Sequence, residues 1–95
     1  MTHPVSPQKH LLTVTLLGTE GCHLCDDAEA LVHQVLQARG VPYRLDHRDI
    51  ADSNEGIEQY GLRIPVLVNQ GRELDWPFSA EQLAVFISDQ VVPGP

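Results

Sequence analysis

Both cysteines of the chain fall within four residues, Cys22-His23-Leu24-Cys25, at the junction between an apolar run and a helical pattern. This spacing narrows the fold more than any other feature of the sequence. A dithiol on the first turn of a helix that follows a strand is the sequence form of a redox-active site. Two cysteines three positions apart cannot staple a disulfide scaffold, so the remaining residues must supply a hydrophobic core. Ninety-five residues, 42 % of them hydrophobic, suffice for one small domain.

The apolar runs are strand-length. Leu11 to Leu17 is rich in β-branched residues and bounded by Gly18, which reads as a buried central strand. Gly18-Thr19-Glu20-Gly21 forms a loop with two breakers. Ala28, Leu31, Val32, Val35 and Leu36 then follow the i, i+3, i+4, i+7, i+8 stripe of an amphipathic helix. Acids Asp26, Asp27 and Glu29 lie in its first turns, Arg39 in its last, and Gly40 stops it, which predicts a helix over 23–39.

Val41, Tyr43 and Leu45 alternate with polar residues as a second strand, completing a right-handed βαβ unit with parallel strands. Ala51 to Tyr60 reads as a short polar helix anchored by Ile57 and Tyr60 and stopped by Gly61. Ile64 to Val68 is a third strand with Pro65 at its entrance. A turn over 69–72 leads to a short fourth strand, Glu73 to Asp75, antiparallel to the third. Ser79-Ala80-Glu81-Gln82 has the form of a capping box and opens a last helix with Leu83, Phe86 and Ile87 inward. The order is βαβαββα, an α/β fold with a four-stranded mixed sheet and helices on both faces. It spans 11–90, between a flexible arm over 1–10 and a flexible tail over 91–95.

Six basic residues face thirteen acidic ones, for a formal net charge of -7, and a single lysine is present. Phosphate recognition needs clustered Lys and Arg, so nucleic acid is excluded as a partner. No apolar run approaches the roughly 20 residues a membrane helix requires, and the N-terminus lacks the pattern of a secretory signal. A cytoplasmic monomer with no membrane partner is the expectation.

Thiol–disulfide exchange requires a thiolate, and an ordinary cysteine, with a pKa of about 8.5, is mostly protonated at neutral pH. Placing Cys22 just before a helix aims unpaired N–H groups and the positive end of the helix dipole at its sulfur. Cys25, one turn on and facing inward, is close enough to close a disulfide. Cys22 therefore attacks and Cys25 resolves. Zinc would need further ligands, since structural sites are closed by four. No second cysteine pair exists, and His23 projects at a different angle around the helix, so neither a metal nor any other cofactor is expected. His3, His10, His33 and His47 are assigned to the surface. Trp76 is assigned to the core where the sheet meets the last helix, rather than to an aromatic wall for a partner.

Taken together, these residues resemble the glutaredoxin-like branch of the thioredoxin superfamily, in particular a small bacterial group whose helix start reads Cys-His-Leu-Cys-Asp-x-Ala, here Cys22 to Ala28. The resemblance covers about 11–90, with further matches at His47-Arg48-Asp49-Ile50, Tyr60-Gly61-Leu62-Arg63 and Ile64-Pro65-Val66-Leu67. It implies a thioredoxin-like fold, a cis bond at Pro65, Cys22 as nucleophile and Cys25 as resolving thiol. In such a fold the strand entrance at Ile64 and Pro65 faces the dithiol and offers backbone for strand-like pairing with a substrate.

The chain departs from glutaredoxins where glutathione would bind. His23-Leu24 stands in place of Pro-Tyr, Glu20 in place of a basic residue, and Leu74-Asp75-Trp76 in place of a Gly-Gly pair. Glu20, Asp26 and Asp27 repel an anionic tripeptide and oppose thiolate formation, whereas the helix dipole and a protonated His23 favour it. Arg63 is the one cation placed to meet a substrate, its alternative being a pair with a surface acid. The expected function is a thiol-disulfide oxidoreductase acting on protein disulfides, recharged by an upstream reductant. The alternatives are a non-catalytic binding module or redox sensor, and a metal or cluster carrier.

Overall fold

The computed structural model describes residues 11–90. The arm over 1–10, with His3 and His10, and the tail over 91–95 lie outside the described residues. The elements are β1 (Leu12–Gly18), α1 (His23–Arg39), β2 (Tyr43–Asp49), a 3₁₀ turn (Ile50–Asp52), α2 (Asn54–Tyr60), β3 (Val66–Asn69), β4 (Arg72–Asp75) and α3 (Ala80–Gln90). The sheet order is β2-β1-β3-β4, with β1 parallel to β2 and antiparallel to β3, and β4 antiparallel to β3. This is the thioredoxin-like α/β arrangement.

Alternation along the central strand divides the core. Leu12, Val14 and Leu16 of β1 pack with Leu67 against the α1 stripe and against Leu83, Phe86 and Ile87 of α3. Leu17 points to the opposite face and joins Val66 and Ile50, with Tyr60, Ile64 and Val68 partly buried beside them. Trp76 packs against the larger cluster, edge-on to Phe78 with ring centroids 5.0 Å apart. The Trp76–Pro77 bond is cis, which nothing in the sequence reading anticipated.

Several boundaries move for identifiable reasons. The stretch read as one helix over Ala51 to Tyr60 is two pieces, because two side chains cap separately. The Asp49 carboxylate accepts from the Ala51 N–H at 2.9 Å, and the Ser53 hydroxyl accepts from Gly56 at 2.9 Å with Ser53 itself extended. Ile57, read as an anchor of this helix, is 48 % exposed; Ile50, in the 3₁₀ turn, is the buried anchor. Strand β3 begins at Val66 rather than Ile64, since Pro65 has no N–H to give the ladder. The β3–β4 connection is only Gln70-Gly71, both at positive φ (53° and 82°), the two-residue hairpin geometry that follows the twist of the strands. The capping box at α3 closes as read, with Gln82 N–H donating to the Ser79 hydroxyl at 3.0 Å and Ser79 N–H to the Gln82 side-chain oxygen at 2.8 Å.

Leu36 on α1 is fully buried in the larger cluster. Leu36→Ala is expected to lower the unfolding free energy by about 2–5 kcal/mol, measured by urea denaturation of the oxidised protein.

Candidate functional site

Cys22 is the N-cap of α1, in extended backbone (φ -89°, ψ 105°), and its sulfur accepts from the Cys25 N–H at 3.1 Å. The first helical bond, from Asp26 N–H to Cys22 C=O, closes the turn at 3.3 Å. Gly21, at φ +76°, sets the chain's entry into this cap in a conformation that side chains resist. Cys22 and Cys25 are joined as a disulfide with their α-carbons 5.2 Å apart. Both are half-buried, whereas Glu20, His23, Leu24, Asp26 and Asp27 around them are exposed.

Gly18 ends β1 directly beneath the site. A β-carbon there would lie 2.6 Å from the Cys25 sulfur, so the missing side chain is what lets α1 settle with Cys25 against the strand. The antiparallel register pairs Leu17 with Val66, which sets Pro65 opposite Gly18 at the same end of the sheet as the dithiol. Pro65 is fully buried and its bond to Ile64 is cis. Two of the backbone groups at this entrance are already engaged. The Ile64 N–H donates to Tyr60 C=O at 3.1 Å, and Pro65 C=O accepts from Trp76 N–H at 3.0 Å.

Arg63 takes the alternative weighed for it. Its guanidinium grips Asp75 through two bonds of 2.8 and 3.0 Å, reaches Glu73 at 2.6 Å and lies 5.1 Å from the Tyr60 ring centre. Glu73 in turn accepts from the Tyr60 hydroxyl at 2.6 Å. The Arg63 bonds hold the Asp75 carboxyl below its usual range. Those from Tyr60 and then Arg63 do the same for Glu73, and the Glu73 carboxylate pushes the Tyr60 phenol up. The guanidinium braces the loop before Pro65 against β4.

A cavity of about 250 Å³ opens beside Cys25, with Gly18, Glu29, His47, Arg48 and Asp49 in its wall, and Glu20 and Asp26 at its acidic side. Glu29 stands four residues after Cys25 on α1. It meets His47 at 3.0 Å and His33 at 3.4 Å, and the His47 hydrogen bond keeps its carboxyl below the usual range despite partial burial. His33, assigned to the surface by its sequence position, is half-buried and bonded through Nδ1 to the Tyr43 hydroxyl. His47 is exposed as assigned but tied to Glu29. Neither Gly18 nor the Glu29–His47 pair was singled out from sequence. The i+4 spacing from Cys25 to Glu29 was the available signal, whereas the parallel register that sets His47 beside Leu16 emerges only in the folded sheet. Among the described residues no His, Cys, Asp or Glu cluster has the geometry of a metal site.

A family model described as a glutaredoxin-like domain (DUF836) matches residues 13–88. The chain belongs to this glutaredoxin-like family. It is similar to the structural-genomics target protein XcR50 from X. campestris, solved by X-ray diffraction, at 37 % identity over 84 % of this chain and 99 % of that one, with a TM-score of 0.69. Protein Ne2328 from Nitrosomonas europaea is 25 % identical over 90 % of this chain and 98 % of its own, with a TM-score of 0.67. Oxidised thioredoxin from Plasmodium falciparum, 14 % identical over 85 % of this chain and 82 % of its own, shares the fold with a TM-score of 0.52. No curated protein matches the chain.

Two outcomes test this geometry. Gly18→Ala drives a methyl into the Cys25 sulfur and should cost about 1–3 kcal/mol as overpacking, read by urea denaturation, with a smaller penalty in a Cys25→Ala background. Asp75 and Glu73 have depressed folded-state pKa values, so their stabilisation is present above the unfolded carboxyl range and is lost as pH falls through the folded values. Arg63→Gln should therefore flatten the fall of the urea midpoint below about pH 4.

Proposed function

We propose that this domain is a thiol-disulfide oxidoreductase in which Cys22 attacks and Cys25 resolves. The observation that carries the reading is the seat of the Cys22 sulfur at the N-cap of a 17-residue helix, accepting a backbone N–H. An N-cap stabilises a thiolate as it does any other anion. The Cys22 thiolate attacks one sulfur of a substrate disulfide, forms a mixed disulfide and expels the other sulfur as a thiolate. Cys25 then attacks the Cys22 sulfur, closing the intramolecular disulfide and releasing the second substrate thiolate. Two electrons pass from the dithiol to the substrate, and a thiol reductant restores the pair.

Protein disulfides fit better than glutathione as substrate. Glu20, Asp26 and Asp27 flank the dithiol and disfavour an anionic tripeptide, and Arg63, the cation before Pro65, is occupied by Asp75 and Glu73. Leu24, half-exposed between the cysteines, gives an apolar contact for a protein chain. Ile64 and Pro65 form the opposing wall, where strand-like pairing would have to use groups other than the Ile64 N–H and Pro65 C=O. A reducing compartment such as the cytoplasm suits a cycling dithiol. No helix among the described residues is long and apolar enough to cross a membrane.

The purified protein is expected to reduce insulin disulfides when supplied with thioredoxin reductase, and only slowly with glutathione. Cys22→Ser should abolish turnover, and Cys25→Ser should accumulate a mixed disulfide detectable by mass spectrometry. Failure of the unmodified protein to turn over with either reductant would favour a binding module or redox sensor.

A further inference from the structure

The two cysteines are served unequally. Cys22 has the N-cap, while the Cys25 sulfur lies against Gly18 and Cys25 uses its own N–H to support Cys22. The reading above requires Cys25 to lose a proton before it can resolve the mixed disulfide, and the helix terminus does not supply an acceptor for it. The cavity opens onto Cys25 and not Cys22. It brings together residues from three elements on one side of the sheet: Cys25 and Glu29 from α1, Gly18 from β1, and His47 from β2.

Resting on that reading, we propose that His47 accepts the Cys25 proton across this cavity and that Glu29 is the positioning residue that holds the imidazole toward it. Imidazole is the side chain suited to exchange protons near neutral pH. The cavity is roomy enough for a bridging water, which occupies about 30 Å³ in the liquid. The Cys25 S–H gives its proton to His47, and the Cys25 thiolate attacks the Cys22 sulfur. The bond from Cys22 to the substrate sulfur breaks with its electron pair on the substrate, and the imidazolium returns the proton to the departing thiolate. No proton is left over, and no further reductant or oxidant enters the step.

Glu29 is in contact with His47; the other charged groups that line the cavity are Asp26 from α1, Glu20 from the loop, and Arg48 and Asp49 from the strand of His47, with His33 behind Glu29. Gly18 and Leu16 of β1 contribute none. Asp49 is the competing acceptor, since its register partner is Gly18, but one of its carboxylate oxygens caps the 3₁₀ turn through Ala51 N–H.

The reduced protein mixed with excess 5,5′-dithiobis(2-nitrobenzoate) separates the steps in a stopped-flow absorbance trace. A first thiolate is released when Cys22 attacks the reagent, and a second when Cys25 resolves the adduct. His47→Gln is expected to slow the second release by about tenfold or more and to remove its rise across neutral pH, while the first release keeps its rate and pH profile. Glu29→Gln should slow the second release by a smaller factor and retain the pH dependence. An unchanged second phase in His47→Gln, or one lost only in Asp49→Asn, overturns the assignment while leaving the oxidoreductase reading in place. A wild-type protein that releases only one equivalent, with no intramolecular disulfide formed, overturns both. The first phase, measured in the same trace, reports whether each variant is folded at Cys22.

Discussion

The contact between Gly18 and the Cys25 sulfur is the constraint on which the site depends. At the end of a buried strand, glycine ordinarily weakens the sheet because it packs nothing. Here the neighbouring helix supplies the missing side chain, a sulfur filling the space where a β-carbon would stand. That fit fixes how closely α1 approaches β1, and with it the height of Cys22 above the sheet and the seating of the N-cap. The same glycine lies level with Pro65 in the antiparallel register and with Asp49 in the parallel one. Three segments distant in sequence thus meet at this glycine.

The electrostatics around that contact are layered. Nearest the dithiol, exposed acids oppose negative charge on sulfur, while the backbone N–H groups of the helix start favour it. Farther out, carboxylates are matched locally: Glu29 by two histidines, and Glu73 and Asp75 by Arg63 and Tyr60. The acidic net charge of the chain is therefore unevenly compensated, with Glu20, Asp26 and Asp27 left exposed beside the cysteines.

The fold was largely legible because its signals are local and repeated. The apolar stripe of α1 survives as buried Ala28, Val32, Val35 and Leu36, and the Ser79–Gln82 capping box is reciprocal as its spacing implied. Capping, rather than periodicity, decided the errors. A ten-residue polar helix became a 3₁₀ turn and a short helix because Asp49 and Ser53 each cap their own piece. The dithiol was legible from spacing alone, whereas the partners of Cys25 were not. Gly18 looked like a loop breaker, and His47 like the polar end of a strand, until register set them against the helix. Arg63 could have faced substrate or acid; only the lateral pairing of β4 with β3, which carries Glu73 and Asp75 to it, resolves the choice.

The order of the strands leaves β2 and β4 at the two margins of the sheet. Strand β4 is four residues long and three of them, Arg72, Glu73 and Asp75, carry charge; β2 carries Arg44, Asp46, Arg48 and Asp49, with Arg44 and Asp46 paired at 2.9 Å. A further strand laid along either margin would strip water from these groups and break pairs already made, a cost that open apolar margins do not impose. The brace that steadies the loop before Pro65 is thus built from the residues that also guard one border of the sheet.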